Sequence, residues 1–210
     1  VKQKKQTETS LFLIAELHNT LQQYPQAIIV GNQLLENHHK QRIELTDAEH
    51  SQLLFFIGLC LKHSAHPFNA IDYLEKSLNI INNVDNASAI FNLAYLYLTT
   101  RNLMAFEKLA TKLVNWEAYF LDTQLMMIDS AVFQQNQSLL KTRVLATLPY
   151  AKSLSPQGFG KIGGYLIDLN LPKELEQLIN QYEQTKPGNG IGLHAKQAFK
   201  LKEYEDVINL

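Results

Sequence analysis

Small residues recur in the first half of this sequence at a fixed spacing, and this repeat limits the folds that the chain can adopt. A small side chain where two helices cross lets their axes approach to about 8 Å, while larger neighbours fill the groove. A single helix pair cannot bury its own apolar stripe, so such pairs must stack. The spacing therefore predicts an array of helix pairs. The positions twelve residues apart are Ala15 and Ala27, Gly58 and Ala70, and, with a large second member, Ala94 and Phe106.

Apolar residues spaced three and four apart predict the helices of this array. That spacing places side chains in one stripe along a helix, and no comparable alternating run indicates a strand. Proline loses no hydrogen bond at the start of a helix, and Pro25, Pro67 and Pro172 stand at the beginning of such stripes. Helices joined by such short turns must run antiparallel. Clear stripes lie at 70–81, 106–114 and 175–182.

Polar residues of the kind that cap helices precede three of the apolar runs. Thr46 followed by Glu49 has the sequence of a capping box. Ser155 stands before a stripe that proline opens, and Asp85 stands before the apolar run 90–97. A side-chain oxygen at such a position accepts a hydrogen bond from a backbone N–H of the first turn. We therefore expect Thr46, Ser155 and Asp85 to cap helices.

The pattern resembles that of the tetratricopeptide repeat (TPR) family, whose repeats of about 34 residues carry small side chains at fixed positions. The match departs in 122–155, where Asp129 and Lys141 stand at small positions. The resemblance implies an all-α fold: a right-handed superhelical array of antiparallel helix pairs, with about five to six pairs in this chain. The match is best in 51–84, through Leu54, Ile57, Gly58, Leu61, Ala70, Leu74 and Ser77.

The resemblance also divides the chain into segments. We expect a flexible tail at 1–7, a TPR-like helical repeat domain at 8–185 and the start of a further, truncated repeat at 186–210. The segment 36–47 is longer than the other joints, which makes it the best candidate for an insertion or a mobile loop. Because the chain starts at valine and its pattern stops within a new helix, we expect a piece of a longer protein. The repeats are expected near 8–41, 51–84, 87–120, 122–155 and 156–187.

The resemblance further implies a binding groove, because the family lines its concave face with the fifth and ninth residues of each first helix. Phenylalanines at equivalent positions would form an apolar trough of the kind that holds an extended or helical peptide. Two alternatives stay open. In one the rings are buried by neighbouring repeats, and in the other they are buried by self-association. The groove residues are Phe12, Glu16, Phe55, Leu59, Phe91 and Tyr95.

The residue types in this groove indicate the chemistry of a partner. Family members that grip a C-terminal carboxylate use Lys and Asn at these positions, and the three best repeats of this chain have neither there. We therefore expect no clamp of that type. The partner is expected to be a protein or peptide that presents apolar side chains.

Two sequence features that suggest chemistry have a structural explanation. The run 158–163 fits G-x-G-x-x-G, but a dinucleotide site requires a preceding strand, so we expect a glycine-rich helix packed against a neighbour. His38, His39 and His50 are close in sequence. Adjacent residues on a helix diverge while zinc needs converging ligands, so we expect a solvated loop and no metal.

Catalytic and cofactor chemistry has no recognisable basis in the sequence. No serine or cysteine stands in a known nucleophilic setting, and no phosphate-binding loop is present. Cys60 lies in an apolar run, where a buried small hydrophobe is expected. We therefore predict no enzyme activity, no catalytic residue and no cofactor.

Charge and hydropathy exclude two classes of partner. A formal net charge of −1, with few arginines, argues against a nucleic-acid surface. No uncharged apolar stretch reaches the roughly 20 residues of a membrane helix, so we expect no membrane insertion. The Asn-, Gln- and Ile-rich composition is typical of a bacterial protein, and it leaves the compartment open between cytoplasm and periplasm.

These features predict a non-catalytic protein–protein interaction scaffold that binds a peptide or protein partner in the concave groove. One alternative is a ligand-sensing or regulatory module of a larger protein, attached to a membrane anchor, a DNA-binding domain or a catalytic domain. The other alternative is a homo-oligomerisation unit, such as a homodimer.

Overall fold

The structure of the chain, a computed structural model, describes residues 15, 16 and 18–201, except for the side chains of residues 199 and 201. Every regular element among the described residues is a helix. The chain divides between Leu113 and Val114 into two units, called unit 1 and unit 2 below. The predicted all-α fold of sequentially packed helix pairs is confirmed.

The described residues of unit 1 contain five complete helices, each of which packs against the next along the chain. A short 3₁₀ turn, Val84–Asn86, leads into the fourth helix, and residues 18–20 are also helical. The segments 64–66 and 100–102, each of which joins two consecutive helices, are short, as the predicted antiparallel hairpins require. The helices are α1 (Tyr24–His39), α2 (Asp47–His63), α3 (Pro67–Ile80), α4 (Ala87–Thr99) and α5 (Leu103–Leu113).

Small residues set the distance between neighbouring helices of unit 1, as their spacing predicts. A Cβ atom added to Gly58 of α2 would lie 2.9 Å from Cγ of Leu74 on α3, and Ala70 is fully buried. A Cβ atom on Gly31 of α1 would likewise lie 2.8 Å from Cγ1 of Ile57 on α2. A larger side chain at either glycine would push a neighbour away, so these positions fix the packing.

The predicted helix caps are confirmed at two positions and wrong at a third. Thr46 and Glu49 form the complete capping box of α2, and Ser155 Oγ accepts a hydrogen bond from Gly158 N at 3.1 Å. Asp85 does not cap α4, because it lies inside the preceding 3₁₀ turn, where Asn83 Oδ1 accepts a hydrogen bond from its N–H at 3.0 Å. The chain makes one extra turn before α4, which moves the helix start beyond the reach of Asp85.

Unit 2 also consists of packed helices, with a 3₁₀ segment, Leu148–Ser153, in place of a plain joint. This segment packs against the helix Pro172–Glu183. The helices are α6 (Glu117–Phe133), α7 (Gln137–Thr147), α8 (Pro156–Asp168), α9 (Pro172–Glu183) and α10 (Ile191–Leu201). One buried hydrophobic cluster consists of Ile128, Val144, Leu148, Ala151, Leu154, Phe159, Ile162, Leu166, Ile167, Leu175, Leu178, Ile179, Tyr182 and Leu193.

The departure from the family pattern in 122–155 has a local explanation at Asp129. This residue stands on α6 where a small side chain is expected, and its carboxylate forms an ion pair with Lys161 of α8 at 2.6 Å. Both side chains are 30% exposed. An ion pair with partial access to water avoids the large desolvation penalty of a buried charge, so the position tolerates an acid.

The glycine-rich run 158–163 is helical, as predicted, and lies within α8. A Cβ atom on Gly163 would lie 2.3 Å from Cδ1 of Leu193 on α10, and Gly158 and Gly164 are also buried. The glycines therefore permit close approach between helices. No strand precedes the run among the described residues, so it lacks the frame of a dinucleotide site.

Candidate partner-binding site

Four of the six predicted groove residues lie on α2 and α4 of unit 1. Phe55 and Leu59 belong to α2, and Phe91 and Tyr95 belong to α4. Of the other two, Glu16 is an exposed helical residue, and Phe12 lies outside the described residues. Phe55, Leu59, Lys62, Phe91, Asn92 and Tyr95 together are called the α2–α4 face below.

The α2–α4 face leaves large side chains accessible on two helices that also contribute fully buried residues to the core. Phe55, Leu59 and Phe91 are half-buried, and Tyr95 is 42% exposed. Ile57 of α2 and Ile90 of α4, which lie on other faces of the same helices, are fully buried. One side of each helix therefore contributes to the core, while another side presents aromatic and aliphatic surface.

Lys62 links the two helices within this face. Its Nζ donates a hydrogen bond to Asn92 Oδ1 at 2.7 Å and lies 4.6 Å from the centroid of the Tyr95 ring. The side chain is half-buried, and burial lowers the pKa of its ammonium group below the usual value. The face thus combines apolar surface with one partly desolvated positive charge, and the cation–π contact helps to orient the exposed Tyr95 ring.

The three histidines near the α1–α2 connection do not lie in a solvated loop, so that prediction is wrong. His38 and His39 belong to the last turn of α1 and His50 to the first turn of α2. The His38 and His50 ring centroids are 4.7 Å apart, and those of His39 and His50 are 6.1 Å apart. α1 extends further than predicted, and this extension brings its last turn beside the first turn of α2.

The described residues hold no cluster of three or more metal-ligating side chains arranged to bind an ion. His38 Nδ1 instead accepts a hydrogen bond from Leu45 N at 3.3 Å, within the α1–α2 connection. Accepting this bond places the proton of a neutral ring on Nε2. His38 therefore serves the local fold.

Cys60 is a buried free cysteine, as predicted. Its burial raises the pKa of the thiol to about 11. At neutral pH the group stays protonated, and only the thiolate is a good nucleophile. Cys60 therefore packs as a small hydrophobe on α2.

The helices in the described part of the chain are too short or too polar to cross a bilayer.

Known proteins resemble this chain in structure. No family model matches it, and no curated protein matches its sequence. The solved structure of pilF from Pseudomonas aeruginosa is similar over 98% of this chain and 89% of that chain, with a TM-score of 0.66 and 9% sequence identity. This similarity extends over nearly the whole of both chains. The chain has a TPR-like fold.

A second solved structure, the TPR domain of P58(IPK), matches over 97% of this chain and 58% of that chain, with 14% sequence identity and a TM-score of 0.44.

The TPR-like pattern predicts the aromatic residues that are grouped here as the α2–α4 face, but it does not predict Lys62 and Asn92. Lys62 follows Leu59 by three positions and Phe55 by seven, so helical periodicity places it on the same side of α2. Asn92 is adjacent to Phe91 and carries no such signal. Its contact with Lys62 depends on the distance between two helices, which sequence spacing does not give.

Proposed function

We propose that this chain is a non-catalytic interaction scaffold that binds a peptide or protein partner at the α2–α4 face of unit 1. The main support is the 42% exposure of Tyr95 beside three half-buried apolar side chains on neighbouring helices. Partly exposed aromatic residues next to a packed core are typical of binding hot spots. The TPR-like fold, which commonly carries interaction surfaces, agrees with this proposal.

Binding at this face would take its energy from apolar burial. Partner side chains that cover Phe55, Leu59 and Phe91 gain about 25 cal/mol for each Å² of apolar surface removed from water. The loss of partner freedom offsets part of that gain. The Lys62 ammonium group donates a hydrogen bond to Asn92. A partner that covers this group must supply an oxygen atom as a further acceptor, because removing the charge from water without one lowers the affinity.

One observation that supports a non-catalytic role concerns Cys60, the single cysteine of the chain. Burial keeps the Cys60 thiol protonated at neutral pH, with a pKa of about 11. The polar groups of the α2–α4 face are one ammonium, one amide and one phenol. Such a set can bind and orient a partner.

Site-specific photo-cross-linking would test the location of the site. Tyr95 is replaced by benzoylphenylalanine, and the matched control carries the same replacement at Tyr150 of unit 2, which is also 42% exposed. In cells of the source organism, we expect a specific adduct from position 95 and none of that identity from position 150. Equal adducts from both positions would contradict the proposal, and an adduct with a second copy of the chain would favour the homo-oligomer.

Affinity measurements with the captured partner would then test the apolar contribution. The double variant Phe55→Ala/Phe91→Ala removes two large hydrophobic contacts, and we expect at least about tenfold weaker binding. Circular dichroism verifies that the array stays folded. Unchanged affinity in a folded double variant would remove the α2–α4 face as the binding site.

A further inference from the structure

A recess of about 370 Å³ opens among α1, α2 and α3 of unit 1. Its apolar wall consists of Leu35, Leu54, Tyr73 and Ile80. The volume lies within the range of small-molecule pockets, about 300–1,000 Å³. Three helices bound the recess, which suits the body of one small molecule better than an extended peptide.

The polar side chains of the recess all offer hydrogen-bond donors. They are His39 at the end of α1, His50 at the start of α2, and Lys76 and Asn79 on α3. Among the described residues that line the recess, none carries a carboxylate. An anionic group therefore fits this side of the recess, and a cationic one does not.

Lys76 is available to a ligand at small cost. Its Nζ forms an ion pair with Asp72 Oδ2 at 2.7 Å, one turn earlier on α3, and both side chains are 55% exposed. Exposed pairs of this kind stabilise proteins little, because water screens them. A bound anion can replace Asp72 as the partner of Lys76 or share it.

We propose that this recess binds a small amphipathic monocarboxylate. The apolar body lies against Leu35, Leu54 and Ile80, and the carboxylate lies among His39, His50 and Lys76. This site is separate from the α2–α4 face. At 3.6 residues per helical turn, His50 and Leu54 point to a different side of α2 from Phe55 and Leu59.

The histidines make such binding sensitive to pH. Burial, followed by the neighbouring His38 and His39, holds the pKa of His50 below its ordinary value. A carboxylate beside the ring would raise that pKa again, so the complex would take up a proton. Binding should therefore be tighter at a pH somewhat below neutrality, where that uptake is easier.

Some of the other charged groups around the recess already interact with partners within the protein. The Lys40 ammonium hydrogen-bonds Glu36 and holds the pKa of that carboxyl below its usual range. Glu49 belongs to the capping box, and the Asp47 carboxylate has a weaker, opposing effect that raises the pKa of His50. The remaining titratable groups on these helices and their connections are Tyr24, His38, Arg42, Glu44, Cys60, Lys62, His63, His66, Asp72, Tyr73 and Glu75.

Octanoate is a suitable probe, with octan-1-ol as an uncharged ligand of equal chain length. Binding is measured on the full chain by calorimetry and by the NMR signals of the histidine rings. We expect octanoate to bind with a dissociation constant on the order of 1 mM or below, and to bind about fivefold more tightly at about pH 6 than at about pH 7.5. The ring signals of His39 and His50 should shift, and the His50 ring should titrate at higher pH in the complex.

Two variants and a matched control locate the carboxylate. His50→Gln and Lys76→Gln should each weaken octanoate binding about threefold or more, and His50→Gln should also flatten its pH dependence. Lys108→Gln removes a lysine from the exposed surface of α5 and should leave binding unchanged. Circular dichroism shows that each variant remains folded.

Several results would overturn the proposal. These are the absence of any shift at His39 and His50, equal affinities for octan-1-ol and octanoate at both pH values, and equal losses in Lys108→Gln and Lys76→Gln. Tighter binding of N-acetyl-leucyl-leucine than of octanoate would also overturn it, because the recess would then prefer the carboxylate end of a peptide. None of these outcomes bears on the α2–α4 face.

Discussion

Ser51 and Ser77 exchange hydrogen bonds across the α2–α3 crossing. Ser51 Oγ donates to Ser77 O at 3.1 Å, and Ser77 Oγ donates to Ser51 O at 2.8 Å. The side-chain amide of Asn86 donates to both hydroxyl oxygens at 3.1 Å and to Ile81 O at 3.0 Å. The two serines are buried, so this network fixes the register of the helix pair and ties it to the chain that enters α4.

Removal of one hydroxyl should destabilise unit 1 by more than its size suggests. In Ser77→Ala, Ser51 O loses the hydrogen bond that it accepts in addition to its helical one, and the Asn86 amide loses one of its acceptors. Each lost hydrogen bond costs about 0.5–1.5 kcal/mol. Urea unfolding measures the loss. The control is Ser88→Ala, at an exposed position in the first turn of α4, and equal losses in the two variants would contradict the role of the network.

The Tyr182 hydroxyl in unit 2 contrasts with the hydrogen-bonded hydroxyls of Ser51 and Ser77. Tyr182 is fully buried, and its hydroxyl has no hydrogen-bond partner among the described residues. Its ring stacks on Phe159 with centroids 4.0 Å apart. Tyr182→Phe keeps the stacked ring and removes the unpaired group, so the free energy of unfolding should stay the same or rise by about 1–2 kcal/mol.

A second variant separates the contributions of ring and hydroxyl. Tyr182→Leu loses the stacked ring as well and should lower the free energy of unfolding by about 2 kcal/mol or more. Urea unfolding distinguishes the two variants. A loss above about 1 kcal/mol in Tyr182→Phe would show that the hydroxyl has a stabilising partner.

Two glycines of α8 should respond to alanine in opposite directions. A Cβ on Gly163 would lie 2.3 Å from Leu193 Cδ1, whereas nothing lies within 4 Å of a Cβ on Gly160. Gly163→Ala should lower the free energy of unfolding by about 1–3 kcal/mol through overpacking. Gly160→Ala should raise it by up to about 1 kcal/mol, because alanine favours the helix. Thermal melts that shift in the same direction for both variants would contradict the close approach of α8 and α10.

The helices and their crossings follow from local sequence. The spacing of Gly58 and Ala70 predicts a close helix pair because small side chains are required wherever two helix axes approach. The capping box at Thr46 is equally local, since both of its hydrogen bonds form within four residues. Asp85 fails as a cap because Asn83 and Asn86 are nearby polar residues, and which residue begins the helix depends on the exact turn of the chain.

The polar contacts of the candidate sites do not follow from local sequence. Lys62 and Asn92 are 30 positions apart and meet only because α2 and α4 lie side by side. The ring cluster of His38 and His50 depends on how far α1 extends and on its rotation about its own axis. Periodicity gives the side of a helix on which a residue lies, but it does not give the neighbour across the gap.

The stability of unit 1 should fall as the pH is lowered through the ordinary titration range of histidine. Burial and the neighbouring His38 and His39 keep the pKa of His50 below its ordinary value of 6.5 in the folded protein. Below about pH 7 the unfolded chain therefore binds a proton that the folded protein resists, and the free energy of unfolding decreases until the pH passes below the folded pKa. The ring is partly exposed, so screening by water keeps this contribution below about 1 kcal/mol.

Urea midpoints at about pH 7.5 and about pH 5.5 test this sign. His50→Gln removes the titrating ring and should shrink the difference between the two midpoints. His66→Gln, at an exposed position just before α3, should leave that difference as large as in the parent protein. Equal pH dependence in the parent and in His50→Gln would mean that the cluster does not oppose protonation. The recess beside it would then lack the proton-linked response that a bound carboxylate is expected to produce.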